Sequence, residues 1–204
     1  MKAKGPRDRF TRRARKEGYR ARSVYKLFSL NARHRIIGRG SKVLDLGAAP
    51  GSWMEAAKQM GAGHIVGVDL EPIREMEGVS VLRGDVTEAE TLRRIEAMGG
   101  SFDVVLSDLA PSTTGIKHVD QARSTELSRA ALEIATRCLR SGGHFVCKIF
   151  QGPDTHRFIE QVRMHFRSVK TAKPEGSKQQ SKEIYVVAKG LRDECLGDSL
   201  LQND

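Results

Sequence analysis

Short apolar runs that end in glycine or aspartate, each followed by a stretch of helical periodicity, constrain this chain more than any other feature. Lys42–Leu46 ends in a glycine-rich turn, and Gly51–Met60 then reads as a helix. His64–Leu70 and Val79–Arg83 read as strands, Thr87–Met98 as a helix, and Phe102–Ser107 as a strand. Gln121–Leu139 has the pattern of a long amphipathic helix, ended by Ser141, Gly142 and Gly143. His144–Phe150 is read as a strand, Asp154–Phe166 as a helix, and Ser168–Ala172 and Glu183–Ala188 as the last strands. Runs such as Val43-Leu44-Asp45-Leu46 and Asp103-Val104-Val105-Leu106 are nearly continuous in apolar side chains, as strands covered on both faces must be. Alternation of this kind implies an α/β fold: a mostly parallel seven-stranded sheet with helices on both faces. In such sheets ligands bind beyond the carboxyl ends of the strands, where the strand order reverses.

A length of 204 residues suits one domain with a full core. The spacing predicts a further helix over 21–33, where Val24, Leu27 and Phe28 share a face. Three segments are expected: a basic arm over 1–20, a folded domain over 21–190 and a polar tail over 191–204. The net charge is +10, and residues 1–22 carry ten Lys or Arg against only Asp8 and Glu17. A basic arm on a nearly neutral body points to a polyanion, and Phe10 and Tyr19 lie within it as candidates to stack on bases. No run is long and apolar enough for a membrane helix or a signal peptide, so a cytoplasmic protein is expected. Cys138, Cys147 and Cys195 are far apart and the histidines are unpaired in spacing, which argues against disulfides and against a metal site.

The first strand runs into Asp45-Leu46-Gly47-Ala48-Ala49-Pro50-Gly51-Ser52-Trp53, where Gly47 and Gly51 permit a tight turn and close approach to a ligand. A dinucleotide loop would read G-x-G-x-x-G, and this one does not, which disfavours a nicotinamide dehydrogenase. Asp69, at the second strand end, is placed to hold a ribose, and Asp85, at the third, to meet an adenine amino group. This order resembles the S-adenosyl-L-methionine site of class I, Rossmann-like methyltransferases. The loop itself is similar to that of the FtsJ/RrmJ family of ribose 2′-O-methyltransferases, except that Ser52 replaces the second glycine of the usual Pro-Gly-Gly-Trp.

After the fourth strand, Ser107-Asp108-Leu109-Ala110-Pro111 lacks the Pro-Pro-aromatic motif of amine methylation, and neither Cys138 nor Cys147 has the context of a carbon-methylating nucleophile. An oxygen acceptor remains, and it needs a base. Lys148 stands in an apolar strand, where an unpaired charge is costly. Lys26, Asp108, Lys148 and Glu183 resemble, one by one, the K-D-K-E tetrad of the same family, and the likeness runs from about residue 21 to 190. It implies in-line transfer from S-adenosyl-L-methionine to a ribose 2′-hydroxyl, with Lys148 as general base, Asp108 orienting it, and Lys26 and Glu183 placing the ribose. The 2′-hydroxyl makes the partner RNA, and the resemblance implies a uridine in the A-loop of large-subunit rRNA, free or in a pre-ribosomal particle. Lys170, Lys173, Lys178 and Lys182 would extend the basic surface. The alternatives are a tRNA 2′-O-methyltransferase, an inactive RNA-binding ribosome-assembly factor, and a small-molecule O-methyltransferase. A monomer is expected.

Overall fold

The computed structural model describes residues 7–175, 177 and 181–193. Lys2, Lys4, Lys178, Cys195 and the tail from 194 onward lie outside the described residues. Strands β1 (Lys42–Leu46), β2 (His64–Asp69), β3 (Ser80–Arg83), β4 (Phe102–Ser107), β5 (Leu139–Phe150), β6 (Phe166–Ala172) and β7 (Glu183–Leu191) form one seven-stranded sheet in the order β3-β2-β1-β4-β5-β7-β6. All neighbouring pairs are parallel except those of β7, which runs antiparallel to both β5 and β6. The order reverses between β1 and β4, so the crevice beyond their carboxyl ends is the switch point.

Strand parity divides the core in two. Leu44, Leu46, Val66, Val68, Val105, Cys147 and Val186 face helices α4 (Ala89–Gly99), α5 (Lys117–Cys138) and α6 (Thr155–His165). Val43, Ile65, Val104, Leu106, Val146, Tyr185 and Val187 face α2 (Val24–His34) and α3 (Ser52–Gln59). Lys148 shares the parity of Val146, and Glu183 that of Tyr185, so both fall on the α2 face, where Lys26 is carried.

Three expectations need correction. First, the basic arm expected over 1–20 is in part a packed helix: Arg7–Glu17 form α1. Phe10 and Ala14 stand four apart, on one face, Ala14 is buried, and both pack in the cluster with Tyr25. Gly18, at φ +80°, ends the helix, and the Tyr19 N–H donates to the Ala14 carbonyl at 2.9 Å. Phe10 and Tyr19 are therefore spent on protein, in ring contacts to Tyr25 at 5.6 and 5.9 Å. Second, Ser141, Gly142 and Gly143 do not end α5. The helix stops at Cys138, and the chain enters β5 at once because Leu139 is buried and pairs with Phe102. The β4–β5 register shifts between Phe102 and Val104, which marks a bulge there. Third, Leu191 is the buried last residue of β7, not the start of a polar tail.

Candidate active site

A cleft of about 540 Å³ opens at the carboxyl ends of β1 to β4. Gly47 and Ala49 form its floor, Asp69, Asp85 and Asp108 its acidic rim, and Leu70, Val86, Leu109 and Leu127 apolar walls. Gly47 is required twice over: its φ is +77°, and a Cβ there would stand 3.1 Å from the Leu109 backbone. Asp69 accepts the Ala49 N–H at 2.8 Å through one carboxylate oxygen and the Glu71 N–H at 2.9 Å through the other. It thereby ties the glycine loop to the segment after β2. Asp85 accepts the Thr87 N–H and hydroxyl at 2.9 and 2.7 Å.

The other residues of the loop lie elsewhere. Ser52 and Trp53 are buried beneath α2: the Ser52 hydroxyl is 2.7 Å from that of Ser23, and the Trp53 indole donates to the Ser23 carbonyl at 2.9 Å. Neither lines the cleft, and nor does Gly51, whose φ is +107°. Ser52 is tolerated in place of glycine because its side chain meets Ser23.

Asp45 is fully buried, and neither carboxylate oxygen has a hydrogen-bond partner among the described residues. Burial first, and then the neighbouring carboxylates of Asp108 and Asp69, push its carboxyl well above the usual range. The sign follows by linkage. The unfolded chain releases this proton near about pH 4, whereas the folded protein keeps it. Asp45 therefore lowers stability progressively as pH rises from about 4 to its elevated folded value. In urea unfolding from pH 5 to 8, Asp45→Asn is expected to gain stability relative to the native protein as pH rises. A difference independent of pH would mean that Asp45 titrates alike in both states.

Beside the cleft, Lys26, Asp108, Lys148 and Glu183 come together. The Lys148 ammonium donates to the Asp108 carbonyl at 2.6 Å and stands 3.1 Å from its carboxylate. The Lys26 ammonium is 2.8 Å from the Glu183 carboxylate. Tyr185 joins the two pairs. Its hydroxyl donates to Asp108 at 2.6 Å and accepts from Lys26 at 3.1 Å. Burial and the carboxylates of Asp108 and Glu183 hold the phenol well above its usual range, so it remains a donor. Lys148 and Tyr185 are direct partners across β5 and β7, as are Phe150 and Glu183. The result is a continuous chain, Lys148–Asp108–Tyr185–Lys26–Glu183, whose two lysines are both buried. Tyr185 was given no role from the sequence, although one signal was there: a polar-tipped aromatic two residues after Glu183, hence on its face. Cys138 and Cys147 are buried thiols whose pKa values are raised to about 12 and about 11 by burial, which makes both poor nucleophiles. Among the described residues no group of three or more His, Cys, Asp or Glu is placed to hold a metal ion, and no helix is long and apolar enough to cross a membrane.

A family model described as FtsJ-like methyltransferase matches residues 19–191. The ribosomal RNA large subunit methyltransferase E of Methanothrix thermoacetophila is 50% identical over 190 residues, covering 93% of this chain and 74% of that protein. Its namesake from Syntrophobacter fumaroxidans is 51% identical over 190 residues, covering 91% and 96%. Among solved structures, a provisionally named ribosomal RNA methyltransferase from Plasmodium falciparum superposes with a TM-score of 0.76 at 25% identity, covering 85% of this chain and 98% of that one. A provisionally named hemolysin from Streptococcus thermophilus, at 16% identity and a TM-score of 0.62 over 86% of this chain and 68% of its own, shares the fold alone. By family model, by relatives and by fold, the chain belongs to the FtsJ-like methyltransferases.

Proposed function

We propose that this chain transfers a methyl group from S-adenosyl-L-methionine to a ribose 2′-hydroxyl of large-subunit rRNA, with a uridine of the A-loop as acceptor. The observation that carries this reading is the buried Lys148–Asp108–Tyr185–Lys26–Glu183 chain beside an acidic, apolar-walled cleft. The names of the large-subunit relatives support the acceptor.

The cleft fits the cofactor on three grounds. Gly47 leaves a backbone cradle that a Cβ would fill. Leu70, exposed at 58%, and Leu109 offer flat apolar contact for a base. The crowded carboxylates of Asp45, Asp69 and Asp108, which hold the Asp45 proton on, gain from a fixed positive charge. Asp69 would hold the ribose and Asp85 the adenine edge. The bound cofactor supplies an electrophilic methyl on a positively charged sulfur.

The chain's own residues do the rest. Lys26 and Glu183 hold the acceptor ribose by hydrogen bonds at the mouth of the polar chain. Lys148 would take the 2′-hydroxyl proton as that oxygen accepts the methyl group the bound cofactor would supply. Asp108 fixes the Lys148 amine through two contacts, and Tyr185 keeps Asp108 aimed. The protein would work as a monomer in the cytoplasm, where the pre-ribosomal particle is found.

Labelled methyl transfer to large-subunit precursor particles, naked rRNA and bulk tRNA tests this, with the modified position mapped by its resistance to alkaline cleavage. Label at a ribose of large-subunit RNA is expected. Label in tRNA alone would change the acceptor, and labelled base instead of ribose would refute the chemistry.

Arg9, Arg15 and Lys16 are exposed on α1 and offer phosphate contacts. Changing all three to glutamine is expected to lower the salt slope of RNA binding by about 2 to 3. An unchanged slope would make α1 a solvated surface.

A further inference from the structure

Arg20 counts toward the basic N-terminal segment, yet it is half-buried where Arg15 and Lys16 are exposed. Its side chain, 19% exposed, lies between three segments of the fold. The Arg20 backbone N–H donates to Glu55 of α3 at 3.0 Å, and its Nε to the same carboxylate at 3.1 Å. One terminal nitrogen donates to the Pro50 carbonyl at 3.2 Å and to the Arg74 carbonyl at 2.6 Å. The other donates to the Glu75 carbonyl at 2.9 Å. Gly51 makes room for this, since a Cβ there would stand 2.9 Å from the guanidinium.

These contacts have a common geography. Pro50 follows Ala49, and residues 74 and 75 follow Glu71; Ala49 and Glu71 are the two residues whose N–H groups Asp69 accepts, and all three line the cleft. Asp69 fastens the two strips from the inside and Arg20 fastens the same two strips from the outside. A guanidinium suits this task because its planar fork serves several carbonyls at once, which an ammonium on a flexible stem does not. Four of the five guanidinium N–H groups of Arg20 are thereby used within the protein, which leaves one for a phosphate.

We infer that Arg20 is a positioning residue for the S-adenosyl-L-methionine site, clamping the 47–51 loop to the 70–78 segment, and not part of the RNA footprint. This rests on the function proposed above, and it makes the α1–α2 connection a structural part of the cofactor site.

The test separates Arg20 from its basic neighbours in the full-length protein. Titration calorimetry reads S-adenosyl-L-methionine alone, hydrogen exchange reads the 70–78 amides in the ligand-free protein, and the salt slope reads binding to an rRNA fragment. For Arg20→Ala the dissociation constant is expected to rise by about 10- to 100-fold, exchange over 70–78 to quicken, and the salt slope to stay unchanged. Arg20→Lys keeps the charge without the fork and is expected to restore little of the affinity. The double variant Arg15→Ala/Lys16→Ala is expected to do the reverse, with a slope lower by about 1 to 2 and cofactor affinity within about twofold. Wild-type cofactor affinity in Arg20→Ala, or a salt slope reduced by that change, overturns the inference. Should Arg20→Ala fail to fold, Glu55→Gln takes its place: a cofactor affinity weakened about threefold or more supports the clamp, and an unchanged one overturns it. A native protein that binds no S-adenosyl-L-methionine would instead overturn the functional reading itself, and this inference with it.

Discussion

Lys148→Ala is expected to lower methyl transfer at saturating cofactor by at least about 10³-fold, while the dissociation constant for S-adenosyl-L-methionine moves less than about threefold. Lys148 lies beside the cleft and not in its lining, so cofactor contacts survive its loss. What disappears is the amine held by the Asp108 carbonyl at 2.6 Å and its carboxylate at 3.1 Å. Removing one partner of a fully buried ion pair costs about 3–5 kcal/mol. The cost here should be smaller, because Asp108 borders the cleft, can hydrate, and keeps the Tyr185 hydroxyl as a donor. Urea unfolding of the variant should therefore remain cooperative. Lys148→Arg gives the sharper test. Arginine keeps the positive charge and can keep the pairing, but it does not give up its proton in a protein. Single-turnover rates should be as low for arginine as for alanine. Substantial activity in the arginine variant would make position 148 an electrostatic anchor and would remove the base from the mechanism.

The fold was legible in the sequence where period and punctuation agree. The apolar runs around Leu44, Val66 and Val105 became the parallel centre of the sheet, and their carboxyl ends became the cleft. What period alone does not carry is long-range choice. Nothing local says that β7 inserts antiparallel between β5 and β6, yet that insertion places Tyr185 opposite Lys148 and Glu183 opposite Phe150. The polar chain is thus a consequence of register, and Tyr185 was missed for that reason. The loop over Asp45–Trp53 shows the converse. Asp45, Gly47, Gly51, Ser52 and Trp53 read together as cofactor-binding because they share one loop, but a tight turn sends successive side chains in different directions. Gly47 and Ala49 reach the cleft, Ser52 and Trp53 reach Ser23, and Asp45 is enclosed beneath both. The N-terminal segment misled by composition. Charge density marks a solvated face, but the spacing of Phe10 and Ala14 gives that face a buried reverse side. Arg20 carries the same lesson, since a basic residue in a basic run is spent on carbonyls and a carboxylate.

Asp69→Ala is expected to weaken S-adenosyl-L-methionine binding by about 10²- to 10³-fold, with the rate at saturating cofactor reduced by no more than about tenfold. Two losses combine. The carboxylate proposed to hold the ribose is gone, and the Ala49 and Glu71 N–H groups, at 2.8 and 2.9 Å from its two oxygens, lose their acceptor. Hydrogen bonds to a charged group are worth about 1.5–3 kcal/mol each, so a measurable fall in stability should accompany the lost affinity. Asp69→Asn separates the parts. An amide presents one accepting oxygen, and its NH₂ would meet the second N–H donor head on. It therefore fails at one of the two backbone contacts even though its shape is that of aspartate. Binding should be weakened nearly as much as in the alanine variant, because the loop and the segment after β2 are no longer fastened together. Asparagine at native affinity would mean that the charge of Asp69 and one of its two acceptors are dispensable, and that the fastening of loop to segment does not set the affinity.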